Sequence, residues 1–259
     1  MPHHEPTGTQ TRTAVVTGAA SERSIGRATA TRFARDGWSV AVLDLDGDGA
    51  IALARELGER FGVPTAGYGV DITDSAAVNE VAAQIAGSEL PTVGALSNIA
   101  GVPSPVSFLD VDDALWDTII AVNLTGTFYV TRAFLPAMIE GGYGRVVNMS
   151  SVSAQQGGGV FSKTPYSAAK AGVLGLTRSL AREMAPEGIT VNAIAPGAAD
   201  TNIRGDTTEE SEAALSASIP MGRQATAAEI GALVVWLSGE DAGYITGTTQ
   251  AINGGAYIS

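Results

Sequence analysis

Seven short runs of apolar, largely β-branched residues recur along the chain, at Thr13–Thr17, Ser39–Asp44, Thr65–Val70, Val93–Asn98, Arg145–Ser150, Thr190–Ala195 and Thr249–Ile252. Longer Ala- and Leu-rich stretches with helical periodicity separate them, at Ile25–Asp36, Gly49–Phe61, Ser75–Ala86, Ala114–Glu140, Tyr166–Ala185, Thr208–Ala217 and Ala227–Leu237. The short runs are continuously apolar rather than alternating, which is the pattern of strands covered on both faces. Strands and helices in alternation predict an α/β chain built on a doubly wound, mainly seven-stranded parallel sheet. No repeat or low-complexity tract divides it. Residues 12–259 are therefore expected to form one domain behind a polar, flexible tail at 1–11.

Composition removes several kinds of chemistry. Cysteine is absent, and the two histidines, His3 and His4, both fall in the tail. Thiol nucleophiles, disulfides, Ser-His hydrolysis and His- or Cys-ligated metal centres are thereby excluded, and no metal site is expected. A formal charge of −12 argues against nucleic acid as a partner. No signal-type apolar segment and no apolar run of membrane-spanning length is evident, so a cytoplasmic location is expected. The stretch Asp44–Gly49 imitates the start of a calcium loop, but Arg55 stands where the twelfth-position Glu belongs and a strand precedes it.

In doubly wound sheets, ligands bind beyond the carboxyl ends of the strands. Gly18, Asp44, Asp71, Asn98, Ser150 with Ser151, and Pro196 with Gly197 all fall at such ends. After the first strand the chain reads Thr17-Gly18-Ala19-Ala20-Ser21-Glu22-Arg23-Ser24-Ile25-Gly26 and then enters a helix. Gly18 permits a tight turn, Gly26 lets the helix start close to the sheet, and the free N–H groups there suit a pyrophosphate. Asp44 is placed to accept hydrogen bonds from an adenosine ribose, and its charge would repel a 2′-phosphate. NAD is therefore favoured. Arg23 pulls the other way, since a cation there could meet that phosphate, and NADP stays open.

Tyr166 and Lys170 stand one helical turn apart and share a helix face. A free tyrosine ionises near pH ~10 and is a poor base at neutral pH. A neighbouring ammonium is expected to lower that value toward the range where acid–base catalysis works.

Together these residues make the chain resemble the short-chain dehydrogenase/reductases over nearly its whole length. The resemblance rests on Thr17-Gly18…Ile25-Gly26, Asp71-Ile72, Asn98-Ile99-Ala100-Gly101, Asn123, Asn148-Met149-Ser150-Ser151, Tyr166-x-x-x-Lys170, Pro196-Gly197 with Thr201, and Asn253-Gly254-Gly255. It implies a Rossmann-type three-layer αβα sandwich that interconverts a secondary alcohol and a ketone with NAD(P). Tyr166 would be the general acid–base, Lys170 would lower its pKa and bind the nicotinamide ribose, Ser151 would bind the reacting oxygen, and Asn123 would hold a relay water. Gly18, Ser24 and Gly26 would hold the pyrophosphate, and Arg23 and Ile25 of the same turn would also be cofactor-binding. Asp71 and Ile72 would flank the adenine, with Asn98, Ala100 and Gly101 beside the cofactor ribose and Pro196, Gly197 and Thr201 at the nicotinamide. Hydride chemistry belongs to the cofactor. Relatives form homotetramers through their two long helices, here Ala114–Glu140 and Tyr166–Ala185, and the C-terminal strand.

Two departures from the family pattern stand out. Seven residues separate Gly18 from Gly26 where five are usual, and Ser24 replaces the middle glycine, its hydroxyl being expected to donate to the pyrophosphate. That turn resembles enoyl reductases, yet those space tyrosine and lysine seven apart, and Lys163 occupies that place. The usual serine–tyrosine spacing selects Ser153, whereas the strand-end pattern selects Ser151, and Ser151 is preferred. Substrate-facing segments are expected after Gly101, in Gln155–Thr164 and in Ala198–Arg223, where Thr207 and Glu210 have capping-box spacing for a lid helix. Phe108 and Phe161 read as packing residues. A small-molecule alcohol or ketone is the first expectation for substrate, and a 3-oxoacyl thioester on acyl-carrier protein or coenzyme A the alternative. Ile139–Tyr143 and Ala185–Gly188, the segments expected to dock an acidic carrier, hold no cation. A catalytically silent dinucleotide sensor is the reading from another class.

Overall fold

The computed structural model describes residues 11–159, 161–202 and 208–258. The tail expected at 1–11, with His3 and His4, lies outside the described residues except for its last position, and so does Thr207.

The first half alternates strictly: β1 (Thr13–Thr17), α1 (Ile25–Arg35), β2 (Ser39–Asp44), α2 (Gly47–Phe61), β3 (Thr65–Gly69), α3 (Ser75–Ala86) and β4 (Val93–Asn98). The second half follows as α4 (Asp113–Ile120), α5 (Gly126–Glu140), β5 (Gly144–Met149), a short α6 (Ser153–Gln156), α7 (Thr164–Met184) and β6 (Ile189–Pro196). A two-residue pair, β7 (Ala199–Asp200) and β8 (Ala225–Thr226), brackets α8 (Glu209–Ser218); α9 (Ala227–Leu237) and β9 (Thr249–Ile252) close the chain.

Seven strands form one parallel sheet in the order β3-β2-β1-β4-β5-β6-β9. Successive residues of one strand feed opposite layers. Ala14 and Val16 pack with Phe33, Leu53, Leu57, Ile230 and Val234 on one face. Val15 packs with Val81, Ile85, Leu96, Val130, Phe134 and Met138 on the other. Two helix layers over one sheet explain why the strands are apolar throughout.

Helix starts are fixed by side-chain caps. Asp74 accepts from the N–H groups of Ala76 and Ala77, and α9 carries a full capping box between Thr226 and Glu229. Thr208 caps α8 by accepting from Ser211 N.

The helix expected as unbroken over Ala114–Glu140 contains a π-helical turn, Ala121–Thr125, between α4 and α5. The whole segment, Asp113–Glu140, is 28 residues, and its most apolar stretch reaches a mean hydropathy of 1.2, so by length and composition it does reach membrane-spanning size, contrary to expectation. Its Val130, Phe134 and Met138 are core residues, and it carries Asp117, Asn123 and Arg132, which marks a packed helix of a globular fold.

Candidate active site

The strand order reverses direction between β1 and β4, and a cleft of about 560 Å³ opens there along the carboxyl ends of the strands. Its floor is a close backbone contact. Gly18 has φ 69° and donates to Leu43 O at 2.8 Å, and a Cβ on it would lie 2.7 Å from Ala100 Cα. A Cβ on Gly26 would fall 2.2 Å from Gly18 O. Thr17 Oγ1 accepts from the N–H groups of Ile99 and Ala100 at 3.0 and 3.1 Å, tying the two sides of the switch point together.

Around this cradle, Gly18, Arg23, Ser24, Ile25, Asp44, Asp71, Ile72, Ala100, Gly101, Pro196, Gly197 and Thr201 all line the cleft, as the sequence anticipates. An extended cleft, a glycine cradle and the N-terminus of α1 fit a dinucleotide. Asp44 is fastened in place by Ala20 N (2.8 Å) and Asp46 N (3.1 Å), so its carboxylate is aimed before any ligand arrives.

Three expectations are corrected here. Ser24 caps α1, accepting from Arg27 N at 3.0 Å while donating to Ser21 O at 2.8 Å, so its proton is spent on the turn itself. Arg23 is paired with Asp200, and its carbonyl accepts from Asn202 N at 3.3 Å, so it bridges the mouth rather than reaching for the ribose. Asn98 is 3% exposed and lies behind the wall it was expected to form: its amide donates to Thr131 Oγ1 and Asn148 Oδ1, both at 2.8 Å. Asn148 in turn donates to Thr177, which locks β4 and β5 to α5 and α7.

Helix α7, entered through Pro165, projects Tyr166 and Lys170 into the cleft. Lys170 is 2% exposed and donates from Nζ to Met149 O at 2.9 Å. Its Nζ lies 5.5 Å from the centre of the Tyr166 ring. Ser150 Oγ holds α7 from below by donating to Lys170 O at 2.9 Å.

Burial dominates both proton affinities. It pushes the Tyr166 hydroxyl up to about 12, against a hydrogen bond with Ser151 that pulls the other way. It brings Lys170 down to about 8. Tyr166 as a whole keeps a partly exposed ring, but the environment of its enclosed hydroxyl governs the proton. The expected acidification of the phenol by Lys170 is therefore not found: desolvation opposes the phenolate, and the lysine turns its proton to a carbonyl.

Ser151 is the serine hydrogen-bonded with Tyr166, and its Oγ also accepts from Ser153 N at 3.1 Å. Ser153 opens α6 and lines the cleft beside it.

Asn123 sits in the π turn, fully buried. Its amide nitrogen donates to Val102 O and Ile119 O, both at 3.0 Å, and its Oδ1 accepts from Val102 N at 3.3 Å. The side chain is mostly spent bracing the loop after β4, with one lone pair of Oδ1 left for a water. A Cβ on Gly101 would lie 2.7 Å from that Oδ1 and 3.3 Å from Lys170 Nζ, so glycine keeps the gap between them open.

The cleft is further lined by Val102, Pro103, Gln156, Phe161, Ser162 and Leu215, which lie in the segments expected to face a substrate. Phe161 thus lines the cleft, while Phe108 is 67% exposed outside it. Leu215 of α8 falls in the expected segment Ala198–Arg223, but the sequence does not single it out, because with Glu209, Glu210 and Glu212 in its first turn that helix has no strong apolar face. Ile139–Tyr143 and Ala185–Gly188 run into the starts of β5 and β6, at the sheet edge opposite the cleft. Their lack of cations therefore says nothing about docking at the mouth.

Comparison with known proteins gives a consistent picture. The family model described as enoyl-(acyl carrier protein) reductase matches residues 18–257. An uncharacterized short-chain type dehydrogenase/reductase of Sinorhizobium fredii is 41% identical over 95% of this chain and 98% of its own length. A 3-oxoacyl-(acyl-carrier-protein) reductase of Aquifex aeolicus is 36% identical over 96% of this chain and 98% of its own. An acetoacetyl-CoA reductase of Allochromatium vinosum is 35% identical over 95% and 99%.

Proposed function

Because the chain belongs to the short-chain dehydrogenase/reductase family, we propose that it uses NADH to reduce the ketone of a 3-oxoacyl thioester to a secondary alcohol. It is an oxidoreductase of CH–OH groups that works with a nicotinamide dinucleotide. The relatives reverse the order reached from sequence, where a general alcohol or ketone came first: their names speak for 3-oxoacyl reduction. Enoyl reduction, the name carried by the family model, is disfavoured by the four-residue step from Tyr166 to Lys170.

One arrangement carries the reading: Ser151 is hydrogen-bonded with Tyr166 inside the cleft, which supports a shared seat for a ketone or alcohol oxygen beside the phenol. When bound, the nicotinamide supplies the hydride. Ser151 would orient the ketone oxygen, and Tyr166 would give it the proton as the carbonyl becomes an alkoxide. Lys170, set behind the phenol, would return a proton to it, with Asn123 and Gly101 shaping the gap through which water resupplies the lysine. Asp71, Ile72, Ala100, Pro196, Gly197 and Thr201 would hold the dinucleotide along the cleft.

NADH is favoured over NADPH because Asp44 would face a 2′-phosphate, while the nearby Arg23 and Arg27 are engaged by Asp200 and Glu56. The carboxylates of Glu209, Glu210 and Glu212 in the first turn of α8 weigh against an acidic carrier protein docking over that helix. Partly exposed Trp116 and Phe128 on α4 and α5 fit burial in a homotetramer of a cytoplasmic enzyme whose residues 12–259 fold as one domain.

The test is NADH oxidation with acetoacetyl-CoA, crotonyl-CoA and cyclohexanone in parallel. Turnover is expected chiefly with acetoacetyl-CoA. Preference for crotonyl-CoA would transfer the protein to enoyl reduction.

A further inference from the structure

The side chains of fixed charge that line the cleft are Arg23, Asp44, Asp71 and Lys170. They belong to the cofactor-binding turn, to the strand ends after β2 and β3, or to the catalytic group. The loop between Ser151 and Tyr166 contributes none. Its cation, Lys163, donates to Ser107 Oγ at 2.8 Å and does not line the cleft. The longest polar side chain that this loop does present to the cleft is Gln156.

Local geometry sets Gln156 close to the catalytic serine. Val152, the residue after Ser151, has helical angles (φ −54°, ψ −28°), and Gln156 N donates to Val152 O at 2.9 Å. Residues four apart in such a turn have Cβ atoms about 5–6 Å apart on one face. Val152 and Gln156 both line the cleft, as do Ser151 and Tyr166. A glutamine amide one turn beyond the neighbour of Ser151 can reach an oxygen two carbons from a ketone seated between Ser151 and Tyr166.

The amide is only partly used by the protein. Gly157 and Gly158, with φ of 90° and 109°, turn the chain back at once, and Gln156 Nε2 donates to Gly158 O at 3.0 Å. Its second N–H and its Oε1 have no partner among the described residues. An uncharged donor suffices for a carbonyl oxygen. A carboxylate drawn between Val102, Pro103, Phe161 and Leu215 needs a cation instead, and this part of the cleft offers none.

We propose that the second N–H of Gln156 binds the C1 carbonyl oxygen of a 3-oxoacyl thioester and that this neutral donor selects the thioester over the free 3-oxo acid. The inference rests on the 3-oxoacyl reading above and deepens it. Gln156 is in this view a specificity residue: it holds the far oxygen of the substrate and takes no part in proton transfer.

The experiment compares wild type, Gln156→Leu, Gln156→Glu and Gln156→Arg with acetoacetyl-CoA, acetoacetate and 2-pentanone, which lacks a C1 oxygen, and titrates each variant with NADH by fluorescence. Loss of one neutral hydrogen bond corresponds to about 3- to 10-fold in affinity. Gln156→Leu is expected to raise KM for acetoacetyl-CoA by that much, with kcat within about twofold and with 2-pentanone kinetics and NADH affinity unchanged. Gln156→Glu, which keeps the shape and replaces the donor by an acceptor, should lose more. Gln156→Arg should raise kcat/KM for acetoacetate relative to acetoacetyl-CoA by at least tenfold. Weaker NADH binding, or equal losses on acetoacetyl-CoA and 2-pentanone, would make Gln156 a strut of the glycine turn and overturn the proposal. Unchanged KM in Gln156→Leu, or a wild type that prefers acetoacetate to acetoacetyl-CoA, would overturn it and leave the 3-oxoacyl reading standing. A wild-type enzyme that accepts only 2-pentanone would overturn both.

Discussion

Lys170 holds its Nζ 5.5 Å from the centre of the Tyr166 ring and turns a proton toward the Met149 carbonyl instead of toward the phenol. Both groups are forced toward their neutral forms, and this leaves a mark on stability. Burial lowers Lys170 from 10.5 to about 8. Across that window the unfolded chain holds a proton that the folded chain has released, so folding is favoured progressively as pH rises from about 8 to 10.5 and disfavoured as it falls. For Tyr166, raised from 10.0 to about 12, the sign is opposite: its contribution is present below 10.0 and is lost as pH rises through about 12. Lys170→Met should abolish the first rise, about 3 kcal/mol at 1.36 kcal/mol per unit. Urea unfolding across the alkaline range measures it, and parallel curves for wild type and variant would refute the assignment.

Asp44 is preset by two backbone N–H groups. Asp44→Asn keeps an acceptor but removes the charge that a 2′-phosphate would meet. The ratio of kcat/KM for NADPH to that for NADH is expected to rise by roughly 10- to 100-fold, the scale of one charge-assisted contact. Steady-state kinetics with both coenzymes decide it; an unchanged ratio would place the selectivity elsewhere.

Gly26 touches Gly18 backbone to backbone, and a Cβ there would be 2.2 Å from a carbonyl oxygen. Gly26→Ala must push α1 off the sheet, at a cost of about 1–3 kcal/mol for such overpacking. A lower thermal midpoint together with at least tenfold weaker NADH binding by fluorescence titration is expected. Gly37→Ala is the contrast: its Cβ would meet nothing within 4 Å, but its φ of 87° strains the new side chain. Gly37→Ala should therefore lose stability while keeping NADH affinity.

Features that demand one residue type at one place were legible before the fold was known. Gly18 and Gly26 belong to this class, because close backbone approach leaves no room for a side chain. Strand and helix positions were legible too, since both faces of the sheet are covered. The π turn at Ala121–Thr125 was not, because its residues continue the same apolar period as the helices on either side. Arg23 and Asp200 are 177 residues apart, and no local pattern announces their pairing. Asn98 occupies a strand end whichever layer its side chain enters, so its place in a buried network had no sequence signal. Spacing brought Tyr166 and Lys170 together on paper, but spacing does not report burial, and burial decides which of them keeps its proton.

Tyr166→Phe isolates the proton on which the proposed reduction depends. Phenylalanine fills the same space and removes the one proton that the account places on the ketone oxygen. With acetoacetyl-CoA and NADH, turnover should fall by about 10²–10⁴-fold, while NADH binding stays within a few-fold of wild type. A variant that still oxidises NADH at the wild-type rate would contradict the account.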